Sequence, residues 1–177
     1  MSAGPRIILV QPQLGENIGA SARAMLNCGL DDMAIVSPRD VWPNPKAVAM
    51  ASGAGSVLEN ARVTDNLRAA VADVNRLYAT TARSRDMIQR VLTPRAAAAE
   101  MRAAEARGER VGVLFGPERS GLTTDQVAEA QAVIAVPLNP AFSSLNLAQA
   151  VLIVAYEWFQ AGAEAPPERF DSGDSLT

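Results

Sequence analysis

Residues 133–154 read VIAVPLNPAFSSLNLAQAVLIV, and the order of residue types in that run decides the fold class. Residues 133–136 are apolar and suit a short buried strand. Pro137, Asn139 and Pro140 then end any regular element, because proline offers no backbone donor and holds its predecessor extended. Ser143 and Ser144 offer N-cap hydroxyls, and Leu145, Ala148, Leu152 and Tyr156 follow at helical spacing. A strand that hands a stiff polar loop to a helix start is a common α/β ligand site. An ordinary β–α turn with a capping serine has the same local pattern.

The same alternation runs outward along the chain. Strands are expected at 6–11, 33–37, 62–64, 76–80 and 110–115. Helices are expected at 17–28 with Asn17 as cap, 45–52, 66–74 capped by Asp65, 94–107 and 124–130, with a last long one ending near 161. Residues 83–93 are charged without clear period and read as loop. Strands alternating with helices predict an α/β domain, its mainly parallel sheet covered by helices on both faces. The catalytic or binding domain is expected to fill 1–162. Residues 163–177 carry Pro166, Pro167 and several acids, and read as an acidic tail or the start of a linker.

Composition narrows the chemistry. The 177 residues are 49% hydrophobic and 20% charged, which suits one domain with a full core. No run approaches the roughly 20 apolar residues that cross a bilayer. The single cysteine, Cys28, excludes an internal disulfide framework, so a cytoplasmic location without membrane contact is expected. The chain has no histidine, so a Ser-His-Asp triad, a Cys-His pair and histidine-containing zinc sites are all impossible. No metal is expected. The net charge of -3 argues against binding nucleic acid by bulk charge. All but one of the cations are arginine, the residue that grips phosphate in two-pronged fashion.

Three further stretches could carry chemistry. Residues 116–122, GPERSGL, have the glycine spacing of a phosphate loop, but Leu122 stands where that loop needs lysine. Glu118 at the end of a strand can orient an arginine or accept from a ligand, or be a surface acid in a turn. Residues 17–23, NIGASAR, place Arg23 inside a helix start, where it opposes the macrodipole unless an anion binds there. Residues 80–85, TTARSR, put hydroxyls beside Arg83 and Arg85, as a phosphate clamp or a solvated loop.

As an ordered set these stretches resemble one family. Asn17, Gly19 and Arg23, then residues 114–122, then residues 136–138 with 144–147, resemble motifs 1 to 3 of the SPOUT RNA methyltransferases. They are most similar to the TrmH-like ribose 2′-O-methyltransferases. Residues 80–85 and 139–147 resemble the TrmJ branch, whose target is the ribose 2′-OH of C or U at position 32 of the tRNA anticodon loop. The resemblance implies a C-terminal trefoil knot holding S-adenosyl-L-methionine, which leaves as S-adenosyl-L-homocysteine. By motif match, the cofactor residues are Thr80, Thr81, Leu114, Gly116, Val136, Leu138, Ser144 and Leu145. The implied catalytic set is Arg23, Asn17, Glu118, Ser144 and Asn146, with Arg23, Arg83 and Arg85 contacting tRNA. A homodimer with composite sites is implied too, as is a C-terminal tRNA-binding extension that this sequence lacks. Methylation of guanosine-18 or of rRNA by the same fold, and a non-catalytic RNA-binding module, are the competing readings.

Overall fold

The computed structural model describes residues 4–81, 89–163 and 168. Its strands are β1 Arg6–Val10, β2 Met33–Val36, β3 Arg62–Thr64, β4 Arg76–Thr80, β5 Arg90–Leu92, β6 Val111–Phe115 and β7 Ala132–Ile134. Every pairing is parallel, in the order β3-β2-β1-β6-β4-β7-β5. Parallel strands need crossovers, and helices supply them: α1 Gly15–Asn27, α2 Pro45–Ala51, α3 Gly55–Glu59, α4 Leu67–Ala70, α5 Pro94–Ala106, α6 Thr124–Ala128 and α7 Leu147–Gly162.

Side chains alternate across the strands, and the two faces have different covers. Ile7, Leu9, Met33, Ile35, Tyr78 and Phe115 pack beneath α1, α2, α5 and α7. Ile8, Val10, Ala34, Val36 and Leu114 meet the shorter α4 and α6. Helix α1 can lie close on α2 because Gly19 has no side chain; a Cβ there would stand 2.1 Å from the Ala47 carbonyl oxygen. Helix α7 is latched to α5 at its far end. The Arg102 guanidinium lies 3.7 Å from the Trp158 ring centroid, and the Trp158 indole N–H donates to Glu105. Burial pushes the Glu105 carboxyl up, against that bond and the nearby Arg102 charge.

The N-terminal ends of the strands share a charge cluster. Arg6, 2% exposed, donates to Asp32 at 3.1 Å, Asp73 at 2.6 Å and the Ala70 carbonyl at 3.0 Å. Arg62 and Arg110 add their charges to Asp73. The Arg6 hydrogen bonds hold the Asp73 carboxyl far below the ordinary aspartate range. A buried guanidinium is tolerable only when its donors are met in this way.

Several expected boundaries move. Residues 90–92, read as loop, form edge strand β5, because β7 supplies backbone pairing that a run of only three residues cannot advertise. Gly53 and Gly55 do not end the helical segment; one 3-10 turn and α3 continue it. Asn66, not Asp65, caps α4 by accepting from the Ala69 amide. Asn17 lies inside α1, whose cap position is Leu14. Ser143 and Ser144 do not cap α7. Asn146 does so, accepting from the amides of Ala148 and Gln149 while the Gln149 side chain accepts from the Asn146 amide. Of the expected tail at 163–177, only Ala163 and Glu168 fall among the described residues. No helix among the described residues is long and apolar enough to cross a membrane.

Candidate functional site

The C-terminal ends of β4, β6 and β7 open onto one cavity of about 730 Å³. In open α/β sheets this is the end that takes ligands, in the crevice outside the strand carboxyl termini. Three segments wall it. Strand β4 delivers Thr80 and Thr81, the loop after β6 delivers residues 116–122, and the loop after β7 delivers Val136, Leu138, Ser143, Ser144 and Leu145. The Thr80 hydroxyl donates to the Leu114 carbonyl at 2.8 Å, which ties β4 to β6 at the rim. Gly116 is required by its surroundings: a Cβ there would lie 2.3 Å from the Leu122 amide nitrogen. The loop folds back on that bare backbone, and the Gly121 amide closes it on the Pro117 carbonyl at 2.9 Å.

Glu118 in this loop joins the cavity to α1. Its carboxylate accepts from the amides of Gln13 at 2.7 Å and Leu14 at 2.9 Å, and from the Asn17 side-chain amide at 3.0 Å. It therefore satisfies donors at the start of α1 that no side chain of that helix meets, and its charge suits the positive helix end. Burial alone pushes the Glu118 carboxyl up; the bonds from Asn17, Gln13 and Leu14 outweigh it and leave it below the ordinary glutamate range. The chain of bonds continues. Asn146 donates to the Asn17 side-chain oxygen at 3.1 Å while capping α7 with its own oxygen. Residues 118, 17 and 146 thus lock the β6 loop, α1 and α7 into one geometry.

Most of the expected cofactor residues line this cavity: Thr80, Thr81, Gly116, Val136, Leu138, Ser144 and Leu145. Leu114 does not; it is fully buried, and only its carbonyl reaches Thr80. Of the expected catalytic residues, Glu118 and Ser144 line the cavity, whereas Asn17 and Asn146 stand behind it. Arg23 does not line it either. Six residues separate it from Asn17, about 120° around the helix and about 9 Å along it, and its side chain is exposed. Arg83 and Arg85 lie outside the described residues. The sequence reading missed Phe115, Leu122 and Ile134 on the apolar wall and Arg119 at the loop. Apolar strand ends look alike whether they face a core or a cavity.

A profile of the SpoU rRNA Methylase family matches residues 4–156. The chain belongs to the SpoU rRNA methylase family. Among SpoU relatives, the tRNA (cytidine/uridine-2′-O-)-methyltransferase TrmJ of Pectobacterium atrosepticum is 42% identical over 152 residues, 86% of this chain and 62% of that protein. The chain therefore spans less than two thirds of that relative's length. The crystal structure of TrmJ from Z. mobilis ZM4 superposes with a TM-score of 0.85 at 57% identity, covering 94% of this chain and 73% of that one. The SpoU methyltransferase AviRb from Streptomyces viridochromogenes, in complex with the cofactor AdoMet, shares the fold. Its TM-score is 0.67 at 18% identity, over 90% of this chain and 58% of that one.

Proposed function

We propose that the chain is an S-adenosyl-L-methionine-dependent methyltransferase that modifies the ribose 2′-OH of C or U at position 32 of a tRNA anticodon loop. Residues 1–162 form its catalytic domain. The observation that carries this reading is the convergence of Thr80, the 116–122 loop and residues 136–145 on one cavity, joined through Glu118, Asn17 and Asn146 to the helix that bears Arg23. Membership of the SpoU family and likeness to TrmJ proteins support it.

The cavity suits the cofactor. Its volume is in the range of small-molecule sites, and it sets apolar walls at Leu122, Val136 and Leu138 against threonine and serine hydroxyls and loop backbone. The Glu118 carboxylate is held in place by three neutral donors, which fix its direction and keep it ionised. When bound, the cofactor supplies a methyl group already activated on a sulfonium. What remains for the protein is to hold a 2′-oxygen in line and stabilise the charge it develops. Arg23 is suited to this. It has no ion pair or hydrogen bond among the described residues, and a guanidinium keeps its proton. It anchors the target phosphate and stabilises the alkoxide, while Asn17, Glu118, Ser144 and Asn146 hold the surrounding loops.

Because Arg23 lies away from the cavity of its own chain, it acts at the cavity of a second copy, and the working form is a homodimer. Helix α7 offers a face for that contact in the exposed Leu152, Tyr156 and Phe159, a stripe at helical spacing beside the buried one of Val151, Val154 and Ala155. A trefoil-knotted path for the C-terminal segment is supported by β7 entering between the earlier strands β4 and β5. Incubation with labelled cofactor and total RNA, tRNA and rRNA together, followed by nucleotide mapping, tests the proposal. Label on the ribose of residue 32 is expected; label on a base, on guanosine-18 or only on rRNA overturns it.

A further inference from the structure

Three described cations, Arg23, Arg68 and Arg119, have no ion pair, hydrogen bond or ring contact through their side chains; the others are engaged. Of these three, only Arg119 lines the cavity. The acid beside it in sequence, Glu118, is turned toward Gln13, Leu14 and Asn17 and makes no ion pair with the arginine. The backbone carrying Arg119 is fixed on both sides. Its amide donates to the Gln13 side-chain oxygen at 3.0 Å, and the loop is clamped at Gly116 and Gly121. A cation with an anchored base, an unpaired head and a place at a cavity mouth is preorganised for an anion.

The loop after β7 carries a second unexplained residue. Phe142 is 75% exposed, more than any other described aromatic residue. It sits between Leu138 and Ser143, both of which line the same cavity. Its position is held by a turn in which the Asn139 carbonyl accepts from the Phe142 amide at 2.9 Å and the Asn139 side chain accepts from the Ala141 amide at 3.0 Å. A single exposed apolar residue needs no explanation. An aromatic ring held out on a braced turn, beside a cavity with an unpaired arginine, has the makings of a stacking platform.

We propose that Arg119 and Phe142 form a nucleotide grip at the cavity mouth, Arg119 binding an RNA phosphate and Phe142 stacking on an unpaired base of the same single-stranded segment. This rests on the RNA-methyltransferase reading above and assigns two residues which that reading leaves without a role. A phosphate contact sets register, whereas a ring face accepts any unstacked base. Such a grip selects a loop over a duplex, because a paired base has no free face to offer.

The two halves have different signatures. Titration of tRNA against the whole chain across a salt series, by fluorescence anisotropy, is expected to show Arg119→Gln binding severalfold more weakly at low salt. The slope of log affinity on log salt is expected to fall by about 0.7–0.9, one phosphate contact. Phe142→Ala is expected to weaken binding about tenfold with the slope unchanged, and Phe142→Tyr to restore it. Both variants keep the thermal midpoint, since neither side chain has a partner to lose. Both also keep affinity for S-adenosyl-L-homocysteine by calorimetry. If Arg119→Gln instead loses that affinity and binds RNA normally, the arginine holds the cofactor's carboxylate and the grip is refuted. A Phe142→Tyr variant as weak as Phe142→Ala refutes the stacking. If the unsubstituted chain methylates tRNA and both variants bind like it, the grip alone fails. If the unsubstituted chain neither binds nor methylates RNA, the functional reading falls with it.

Discussion

Glu118 shows how one side chain can matter more for what it holds than for what it touches. Its carboxylate meets three donors from residues more than a hundred positions away. Hydrogen bonds to a charged group contribute about 1.5–3 kcal/mol each before the cost of burial is subtracted, so Glu118→Ala is expected to destabilise the fold by about 2–3 kcal/mol in urea titrations. The pH dependence has a definite sign. The folded carboxyl titrates below its unfolded value of about 4.3, so its contribution is complete above that pH and is lost as pH falls through the folded pKa. The stability gap between wild type and Glu118→Ala should therefore close on acidification below about pH 4.3. A gap that stays constant from neutral pH to about pH 3 excludes this role. Asn146 permits a finer separation. Asn146→Asp keeps the oxygen that caps α7 but loses the donor to Asn17, whereas Asn146→Ala loses both. Stability is expected to fall by about 1 kcal/mol in the alanine variant and little in the aspartate one. Turnover is expected to fall roughly tenfold to a hundredfold in both, if the Asn17 link positions the site.

At the scale of elements, Gly19 sets how closely α1 and α2 can lie. Alanine ordinarily favours a helix over glycine by about 1 kcal/mol. Here its Cβ would sit 2.1 Å from a backbone oxygen, and overpacking of that kind costs about 3 kcal/mol, so the clash wins. Gly19→Ala is expected to lower the thermal midpoint markedly. Gly53→Ala, with nothing within 4 Å of the added methyl, is expected to be neutral or slightly stabilising in the same scan. The elements also show what a sequence can and cannot disclose. The strand at residues 76–80 stands out because Leu77, Tyr78 and Ala79 are apolar and bounded by polar neighbours, and its bounds match β4. Strand β5 is hidden, since it exists through its pairing with β7 and not through its own residues. The misread caps share one cause. Asn17 has the chemistry of a cap, but a partner from residue 118 recruits its side chain; Ser143 and Ser144 look like caps, but Asn146 fills that role and leaves both serines on the cavity wall. Local pattern names the residues able to bond. It does not say which distant group reaches them first.

For the whole molecule, the central expectation is that two copies share their sites. Leu152→Glu puts a charge on the exposed stripe of α7 without touching the core. It is expected to turn a dimer into a monomer in light scattering and to abolish turnover while circular dichroism is unchanged. Complementation tests the geometry more directly. Arg23→Ala and a cavity variant such as Ser144→Trp are each expected to be inactive alone, and a mixture of the two should regain activity, because some mixed pairs carry one complete site. A mixture as dead as its parts would mean that Arg23 serves its own cavity. The sheet also separates two concerns that many enzymes confound. The edge along the N-terminal ends of the strands carries the Arg6, Asp32 and Asp73 cluster, and the edge along their C-terminal ends carries the cavity. Reinforcing the charged edge should harden the protein against heat without slowing it, and loosening the opposite rim should retune substrate choice without melting it, so that durability and selectivity can be adjusted as independent traits.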